Sequence, residues 1–170
     1  MLDLLTALMA ADGSPIRIGV VPGTTRPGNK SHAISDWVLS LAKQLAGPSV
    51  SYELVDLQDY NLPLLDEPGV PAKDEPTQQH TRVWQARVKA LHGFVFVTAQ
   101  YNWGIPAVLK NALDFLYKEW TGKPAAIISY GGHGGGKAAG QLTQVALCLT
   151  AVLDIEHASA DMFGHRSWRG

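Results

Sequence analysis

The clearest pattern of apolar and polar positions lies between residues 94 and 116 and predicts a strand, a turn and a helix. The apolar run at 94–97 is typical of a strand that is buried on both faces. A polar, aromatic turn follows at 100–104, and Pro106 suits the first turn of a helix, where its missing N–H costs nothing. Apolar side chains then recur at helical spacing, namely Val108, Leu109, Ala112, Leu113, Phe115 and Leu116. The turn therefore follows the carboxyl end of a strand, which is where open α/β sheets bind ligands.

Weaker patterns on both sides predict the other elements of an α/β domain. Strands are predicted at 16–21, at 50–57, within 122–129 and, weakly, at 155–160. Helices are predicted at 33–45, 83–91 and 137–153, and residues 60–77, rich in proline and acid, form a long surface connection. The helical connections are long enough for right-handed parallel crossovers. We therefore expect a three-layer α/β domain with a doubly wound sheet of about five parallel strands.

Length and composition indicate one ordinary globular domain. The chain has 170 residues, of which 46% are hydrophobic and 17% charged, enough for one sizeable core. We expect residues 15–170 to form this domain and residues 1–14 to be an N-terminal extension. Residues 1–12 include Asp3 and no basic residue, which argues against a signal peptide, and no apolar run reaches transmembrane length. A cytoplasmic protein is therefore expected.

Charge and metal-binding side chains exclude several function classes. With a formal net charge of -1, nothing favours nucleic acid or an anionic membrane as a partner. The single cysteine, Cys148, sits in an apolar run and is predicted to be a small buried hydrophobic residue rather than a nucleophile. One cysteine supplies no cysteine metal cluster, and the six histidines lack paired spacing, so no metal is expected.

Three unusual loops, at 23–31, 100–104 and 130–136, are expected to meet at one edge of the sheet. In a sheet with strand order 2-1-3-4-5, the loops after strands one, three and four lie side by side. Their coincidence is more informative than any one of them alone. The sequence therefore predicts a binding site at this edge.

The first loop carries groups that suit a phosphate. Thr24, Thr25 and Ser31 offer hydroxyls, Arg26 offers a guanidinium, and a helix N-terminus near Lys30 points to the same place. The spacing does not match a Walker A loop. A solvated connection between strand and helix is the alternative interpretation.

The second and third loops suit a planar ring. Tyr101 and Trp103 present flat aromatic faces, and Gln100 and Asn102 present amides that match a heterocycle with hydrogen-bonding edges. The alternative is that an aromatic residue caps the sheet or packs at a subunit contact. The glycines at 130–136 favour a close approach of main chain to a ring or to a second nucleotide, with a flexible turn as the alternative.

Three motifs together resemble the NAD(P)H-dependent FMN reductase family, which includes quinone, azo-dye and chromate reductases. They are Gly-Thr-Thr-Arg-Pro-Gly from residue 23, Gln-Tyr-Asn-Trp-Gly-Ile-Pro-Ala-Val-Leu-Lys-Asn-Ala-Leu-Asp from residue 100, and Tyr-Gly-Gly-His-Gly-Gly from residue 130. The match spans 16–153 with its spacing kept. The resemblance implies a flavodoxin-like fold and bound FMN.

By position, the resemblance implies which residues hold the cofactor. The FMN phosphate would be held by Thr24, Arg26, Asn29 and Ser31. The isoalloxazine would be lined by Gln100, Tyr101, Asn102, Trp103 and Gly104 and, on its other side, by Tyr130, Gly131 and Gly132. The sequence departs from the family in two places. Ala99-Gln100 replaces the family's usual Pro-Glu, and 153–170 poorly represents its last strand and helix.

The resemblance also implies the chemistry. Hydride passes from NADPH or NADH to the flavin, then to a quinone, an azo compound or free flavin in a ping-pong cycle, and no catalytic side chain is required. A homodimer or homotetramer is expected, because the helix at 105–120 adds Phe115, Tyr117 and Trp120 to its core stripe. Alternatives are a flavodoxin-like electron carrier and a non-catalytic flavin-binding sensor or interaction module. A low-molecular-weight phosphatase is excluded as a function, because it needs a Cys-x5-Arg nucleophile loop and the single cysteine, Cys148, is far from Arg26 in the sequence.

Overall fold

The computed structural model describes residues 14–149 and the strand at 157–161. The predicted N-terminal extension, apart from Ser14, and the chain beyond residue 161 lie outside the described residues. In the described ranges, no helix is both long enough and apolar enough to cross a bilayer.

Five parallel strands form the central sheet, as the sequence predicts. The strands are β1 (Ile16–Pro22), β2 (Val50–Leu54), β3 (Gly93–Ala99), β4 (Ala125–Gly131) and β5 (His157–Asp161). Their order is β2-β1-β3-β4-β5, and each neighbouring pair is parallel. The flavodoxin-like order 2-1-3-4-5 is therefore confirmed, including the weakly predicted last strand, which pairs with β4 from Ile127 to Gly131.

Helices cover both faces of this sheet. They are α1 (Ser31–Leu45), α2 (Gln79–Lys89), α3 (Ala107–Asp114) and α4 (Gly136–Leu149), with short 3₁₀ helices at Leu57–Tyr60 and Gly132–Gly135. Side chains alternate between the faces of a strand, so neighbouring core residues enter different layers. Phe96 packs in a large core with α2, α3 and α4, whereas Val97 packs in a smaller cluster with Ile34 and Val38 of α1. The three-layer prediction is confirmed.

Two predictions about apolar side chains are wrong. Helix α3 ends at Asp114, and the chain turns back so that Phe115 and Trp120 are each only 1% exposed within the core. They are not surplus apolar surface; of the three residues in that prediction only Tyr117 is exposed, at 38%, so the predicted homodimer or homotetramer rests mainly on the resemblance. Cys148 is exposed. The helical period places Leu142 and Ala146 on the buried side of α4 and leaves Cys148 on the other side.

The long connection between β2 and α2 is anchored to the helices that follow it. Asn111 of α3 accepts a hydrogen bond from the Leu65 backbone at 2.9 Å and donates one to the Pro63 carbonyl at 2.6 Å. The Glu67 carboxylate accepts hydrogen bonds from the backbone N–H groups of Thr77 at 2.9 Å and Gln78 at 3.0 Å. Glu67 therefore caps α2 from a distant part of the chain.

This cap predicts a pH-dependent contribution to stability. Desolvation is the largest single influence and raises the pKa of Glu67, but the hydrogen bonds from Thr77, Gln78 and Thr81 together outweigh it and lower the pKa from 4.5 to about 2. A lowered folded-state pKa stabilises the fold above pH 4.5, and the contribution is lost as pH falls toward about 2. Glu67→Gln should lower the free energy of unfolding by about 1 kcal/mol at neutral pH.

Urea denaturation at neutral pH and at about pH 2 checks the prediction. Glu75→Gln is the matched control, because its carboxylate is exposed and makes two long side-chain contacts, 3.9 Å to Lys118 and 3.4 Å to Gln85, and none to a backbone N–H of α2. The Glu67 variant should match the unsubstituted chain at the acidic pH. Equal destabilisation by both variants at neutral pH would contradict the capping role.

Candidate functional site

The three predicted loops meet at the carboxyl ends of β1, β3 and β4, where two hydrogen bonds join them. The hydroxyls of Thr24 and Tyr101 lie 3.0 Å apart, which links the first loop to the second. The hydroxyls of Ser31 and Tyr130 lie 2.7 Å apart, which links the first loop to the third. The prediction that the three loops come together is confirmed.

The first loop is shaped by its own side chains. Asn29 donates to the Arg26 carbonyl at 2.6 Å and accepts from the Ser31 backbone N–H at 2.8 Å, so it closes the turn into α1. The Thr24 hydroxyl lies 3.3 Å from the Arg26 backbone nitrogen, from which it accepts a hydrogen bond. The Arg26 side chain is exposed, with its guanidinium carbon 6.0 Å from the centre of the Tyr101 ring. The loop therefore presents its guanidinium on a rigid base.

The second loop is a tight turn closed by two backbone hydrogen bonds. Tyr101 and Gly104 exchange N–H···O bonds of 3.0 and 2.9 Å. Both central residues have positive φ, 48° at Asn102 and 70° at Trp103, as in a type I′ turn. Such turns favour glycine, so a tryptophan here is under strain, which is typical of functional sites. The Trp103 side chain is 72% exposed at the edge of the site.

The third loop folds tightly against the end of β4. Its backbone has positive φ at His133, 55°, and at Gly135, 75°. A Cβ at Gly135 would lie 2.8 Å from backbone atoms of Tyr130, so only glycine fits there. A Cβ at Gly132 would meet no atom within 4 Å. The loop thus packs against the sheet on one side and leaves bare main chain on the other.

Gln100 joins the second loop to the third loop and to helix α4. Its side-chain oxygen accepts from the backbone N–H groups of Lys137 at 3.0 Å and Ala138 at 3.4 Å. Its side-chain nitrogen donates to the Gly132 carbonyl at 3.3 Å. Only a neutral amide makes both kinds of bond, because a carboxylate has no proton to donate. Glutamine at this position therefore has a structural explanation.

The site edge is positively charged, although the whole chain has a net charge of -1. The three loops contain Arg26, Lys30 and His133 and no aspartate or glutamate, and Lys137 follows directly. Across the described part of the chain, no carboxylate lies within 4.0 Å of the charged nitrogens of Arg26, Lys30 or Lys137. Burial raises the pKa of the Tyr130 phenol above 10.0, against the lowering effect of the Ser31 hydrogen bond, so this hydroxyl is neutral. The edge suits an anionic ligand.

The structure divides the predicted site residues into two groups. Those with surface toward the site are Arg26, Tyr101, Asn102, Trp103, Gly104, Gly131 and Gly132. Those whose polar side-chain groups bond to the protein itself are Thr24, Asn29, Ser31, Gln100 and Tyr130, and Tyr101 belongs to both groups because its hydroxyl bonds to Thr24. Direct phosphate binding by Thr24, Asn29 and Ser31 stays a prediction.

The sequence analysis missed two residues of helix α4. Lys137 places its ammonium nitrogen 4.9 Å from the centre of the Trp103 ring. Gln141 accepts a 2.7 Å hydrogen bond from the Ile105 backbone, which fixes the exit of the second loop. Their spacing of four residues on a predicted helix places both on one face, and that pattern was available in the sequence.

A cavity of about 310 Å³ lies beside the first loop, on the side of α3. Its lining combines four apolar side chains with two amides and one hydroxyl, contributed by Thr25, Leu57, Gln58, Asn61, Leu62, Val108 and Ala112. Its volume is at the lower end of the range for small-molecule pockets. In the ranges 14–149 and 157–161, no group of three His, Cys, Asp or Glu side chains is arranged to hold a metal ion.

The sequence of the chain is similar to a known protein family. A family model for NADPH-dependent FMN reductases matches residues 16–160. The chain is 49% identical over 132 residues to an NAD(P)H-dependent FMN reductase of Schizosaccharomyces pombe, which covers 76% of this chain and 65% of that protein. It is 42% identical over 139 residues to one of Saccharomyces cerevisiae, covering 76% and 73%. The chain thus spans about two thirds to three quarters of the length of these relatives.

A solved structure agrees on the fold. The flavoenzyme NAD(P)H:(acceptor) oxidoreductase FerB of Paracoccus denitrificans superposes with a TM-score of 0.63 at 23% identity, covering 83% of this chain and 75% of that one. At this level of identity the likeness concerns the fold alone.

The role of Gln100 gives a prediction that needs no ligand. In Gln100→Leu, the amide protons of Lys137 and Ala138 lose their acceptor and should exchange about tenfold faster, whereas Gln100→Glu keeps an acceptor and should keep them protected. Hydrogen exchange followed by NMR measures both. Gln141→Leu is the control, since it frees the Ile105 amide instead. Unchanged protection in Gln100→Leu would refute the role.

Proposed function

The chain belongs to the NADPH-dependent FMN reductase family, and from this premise we propose that it binds FMN and catalyses electron transfer from NADPH or NADH to a small-molecule acceptor. The observation that carries the proposal is the meeting of a cationic loop, an open aromatic turn and bare glycine backbone at one sheet edge. These three features match a phosphate, a flat ring and the main-chain contacts that such a ring needs.

The first loop fits the phosphate of FMN. The Arg26 guanidinium is exposed and has no carboxylate within 4.0 Å among the described residues, so it is available to a dianion. The N-terminus of α1 adds its partial positive charge, and the Thr25 hydroxyl lies on the same loop. Thr24, Asn29 and Ser31 hold the backbone that presents these groups.

The second and third loops fit the ring of FMN. Tyr101 offers a half-buried aromatic face, fixed by the 3.0 Å hydrogen bond of its hydroxyl to Thr24. The open main chain at Gly132 leaves room for an edge of the ring, because no protein atom lies within 4 Å of the place that a Cβ of residue 132 would take. Gln100 keeps that segment in place through the Gly132 carbonyl.

Bound FMN would supply the redox chemistry itself by accepting two electrons from a nicotinamide and releasing them to an acceptor. The chain's own residues then bind and orient the reactants and offset their negative charge, and no nucleophile is required. We propose quinones, azo compounds or free flavin as acceptors, and a ping-pong order in which acceptor and nicotinamide use the same open side of the site. The exposed Trp103 turn borders that side.

A purified, flavin-loaded sample tests the proposal directly. The protein should carry FMN rather than FAD, because one phosphate loop is present, and NADPH should bleach its flavin absorbance, which a quinone should then restore. Release by denaturation followed by chromatography identifies the flavin. Flavin binding without bleaching by either nicotinamide would favour a sensor, and slow bleaching with no quinone turnover would favour an electron carrier.

Arg26 gives a second test. Because its guanidinium is exposed, its pairing with the phosphate should contribute less than a buried ion pair, yet Arg26→Ala should weaken FMN binding by about tenfold or more. Titration of the flavin-free protein, followed by flavin fluorescence, gives the dissociation constant. Arg17→Ala is the control, since Arg17 is exposed on β1 near the opposite edge of the sheet. An unchanged FMN affinity in Arg26→Ala would mean that the loop is only a connection.

A further inference from the structure

Lys137 is held at the site by two independent contacts. Its backbone N–H donates to the side-chain oxygen of Gln100 at 3.0 Å. Its ammonium nitrogen lies 4.9 Å from the centre of the Trp103 ring, within the range of a cation–π contact. Both partners belong to the second loop, so the charge of Lys137 is positioned by the site rather than by α4 alone.

The backbone turn that carries the Trp103 indole is itself fixed. Two backbone hydrogen bonds close its turn, and Gln141 binds the backbone of Ile105 just after it. The indole nevertheless stays 72% exposed. The Lys137–Trp103 pair is therefore a rigidly mounted but open feature that an incoming molecule can reach.

The location of Lys137 runs against helix energetics. It is the second residue of α4, where the partial positive charge of the helix N-terminus disfavours a cation. No carboxylate in the described ranges lies within 4.0 Å of its ammonium to offset this cost. A charged side chain in an unfavourable place, with no carboxylate of the protein to offset the cost, is expected where a bound ligand offsets it. That ligand must be an anion.

We propose that Lys137, stacked on Trp103, binds a phosphate group of the nicotinamide dinucleotide; this assignment rests on the proposed function. The flavin phosphate is not the partner, because Arg26 and the N-terminus of α1 serve it from the first loop. Lys137 stands beside the second and third loops, at the ring end of the site. A dinucleotide whose nicotinamide reaches the ring brings its phosphates past this rim.

The experiment compares Lys137→Ala, Lys137→Arg and Lys43→Ala, the last being an exposed lysine in the final turn of α1 and outside the site. Calorimetry with NADP⁺ and NAD⁺ measures binding without turnover. Steady-state kinetics with NADPH, NADH and the phosphate-free donor 1-benzyl-1,4-dihydronicotinamide measures KM and kcat. A thermal melt confirms that each variant is folded.

In Lys137→Ala, the dissociation constant of NADP⁺ and the KM for NADPH should rise by about five- to tenfold, with kcat and the phosphate-free donor unaffected. Lys137→Arg should retain most of the affinity, and Lys43→Ala all of it. A rise confined to NADP⁺ and NADPH would assign the 2′-phosphate, and a rise for both dinucleotides would assign the pyrophosphate.

Two results would overturn the assignment. One is equal dinucleotide affinity in Lys137→Ala and Lys43→Ala. The other is an equal loss with the phosphate-free donor, which would give Lys137 a purely structural role. Failure of the proposed function looks different: the unsubstituted chain would bind NADP⁺ in a Lys137-dependent way but show no flavin reduction with any donor.

Discussion

The hydrogen bond between the Ser31 and Tyr130 hydroxyls is the contact on which the site most depends. Ser31 is completely buried, and its hydroxyl also donates to the Val97 carbonyl at 3.3 Å, so one small side chain bonds to both β3 and β4. A buried hydroxyl without a partner costs more than its bond contributes. The first loop, the start of α1 and the glycine loop must therefore adopt their positions together. Tyr130 is also nearly buried, which keeps competing water away from the bond.

Charge is distributed so that this edge stays cationic in a chain that is almost neutral. Elsewhere, carboxylates are paired: Asp56 lies 2.6 Å from His32, and Asp114 lies 2.6 Å from Lys110. Glu67 is occupied by the backbone at the start of α2. The site loops hold no carboxylate at all, and Gln100 provides hydrogen-bonding capacity at α4 without adding one. Attraction for phosphate-bearing molecules is therefore local and does not require a basic protein.

The sequence predicted the sheet order and the meeting of the three loops, because apolar runs and crossover lengths leave few topologies. It did not predict the hydrogen bonds that the hydroxyls of these loops make within the protein. Thr24 and Ser31 read as phosphate donors, yet both bond to tyrosines from loops far away in the chain, and that pairing depends on strand register. Trp120 was misassigned to the surface because the helix ends at Asp114 and the chain then returns to the core, which the apolar spacing does not show. Cys148 was misassigned because a continuous apolar run hides the phase of a helix.

The backbone of Trp103 shows what selection has favoured at this edge. A position with φ of 70° in a two-residue turn is one that glycine would occupy at lower energy. Selection for stability alone would favour glycine at this position, and random mutagenesis screened by thermostability should recover Trp103→Gly. A bulky indole in such a backbone conformation is typical of a position where a chemical task limits stability. Laboratory evolution of this protein for heat tolerance would therefore need an activity screen alongside the stability screen, because substitutions at position 103 would raise stability and lower activity.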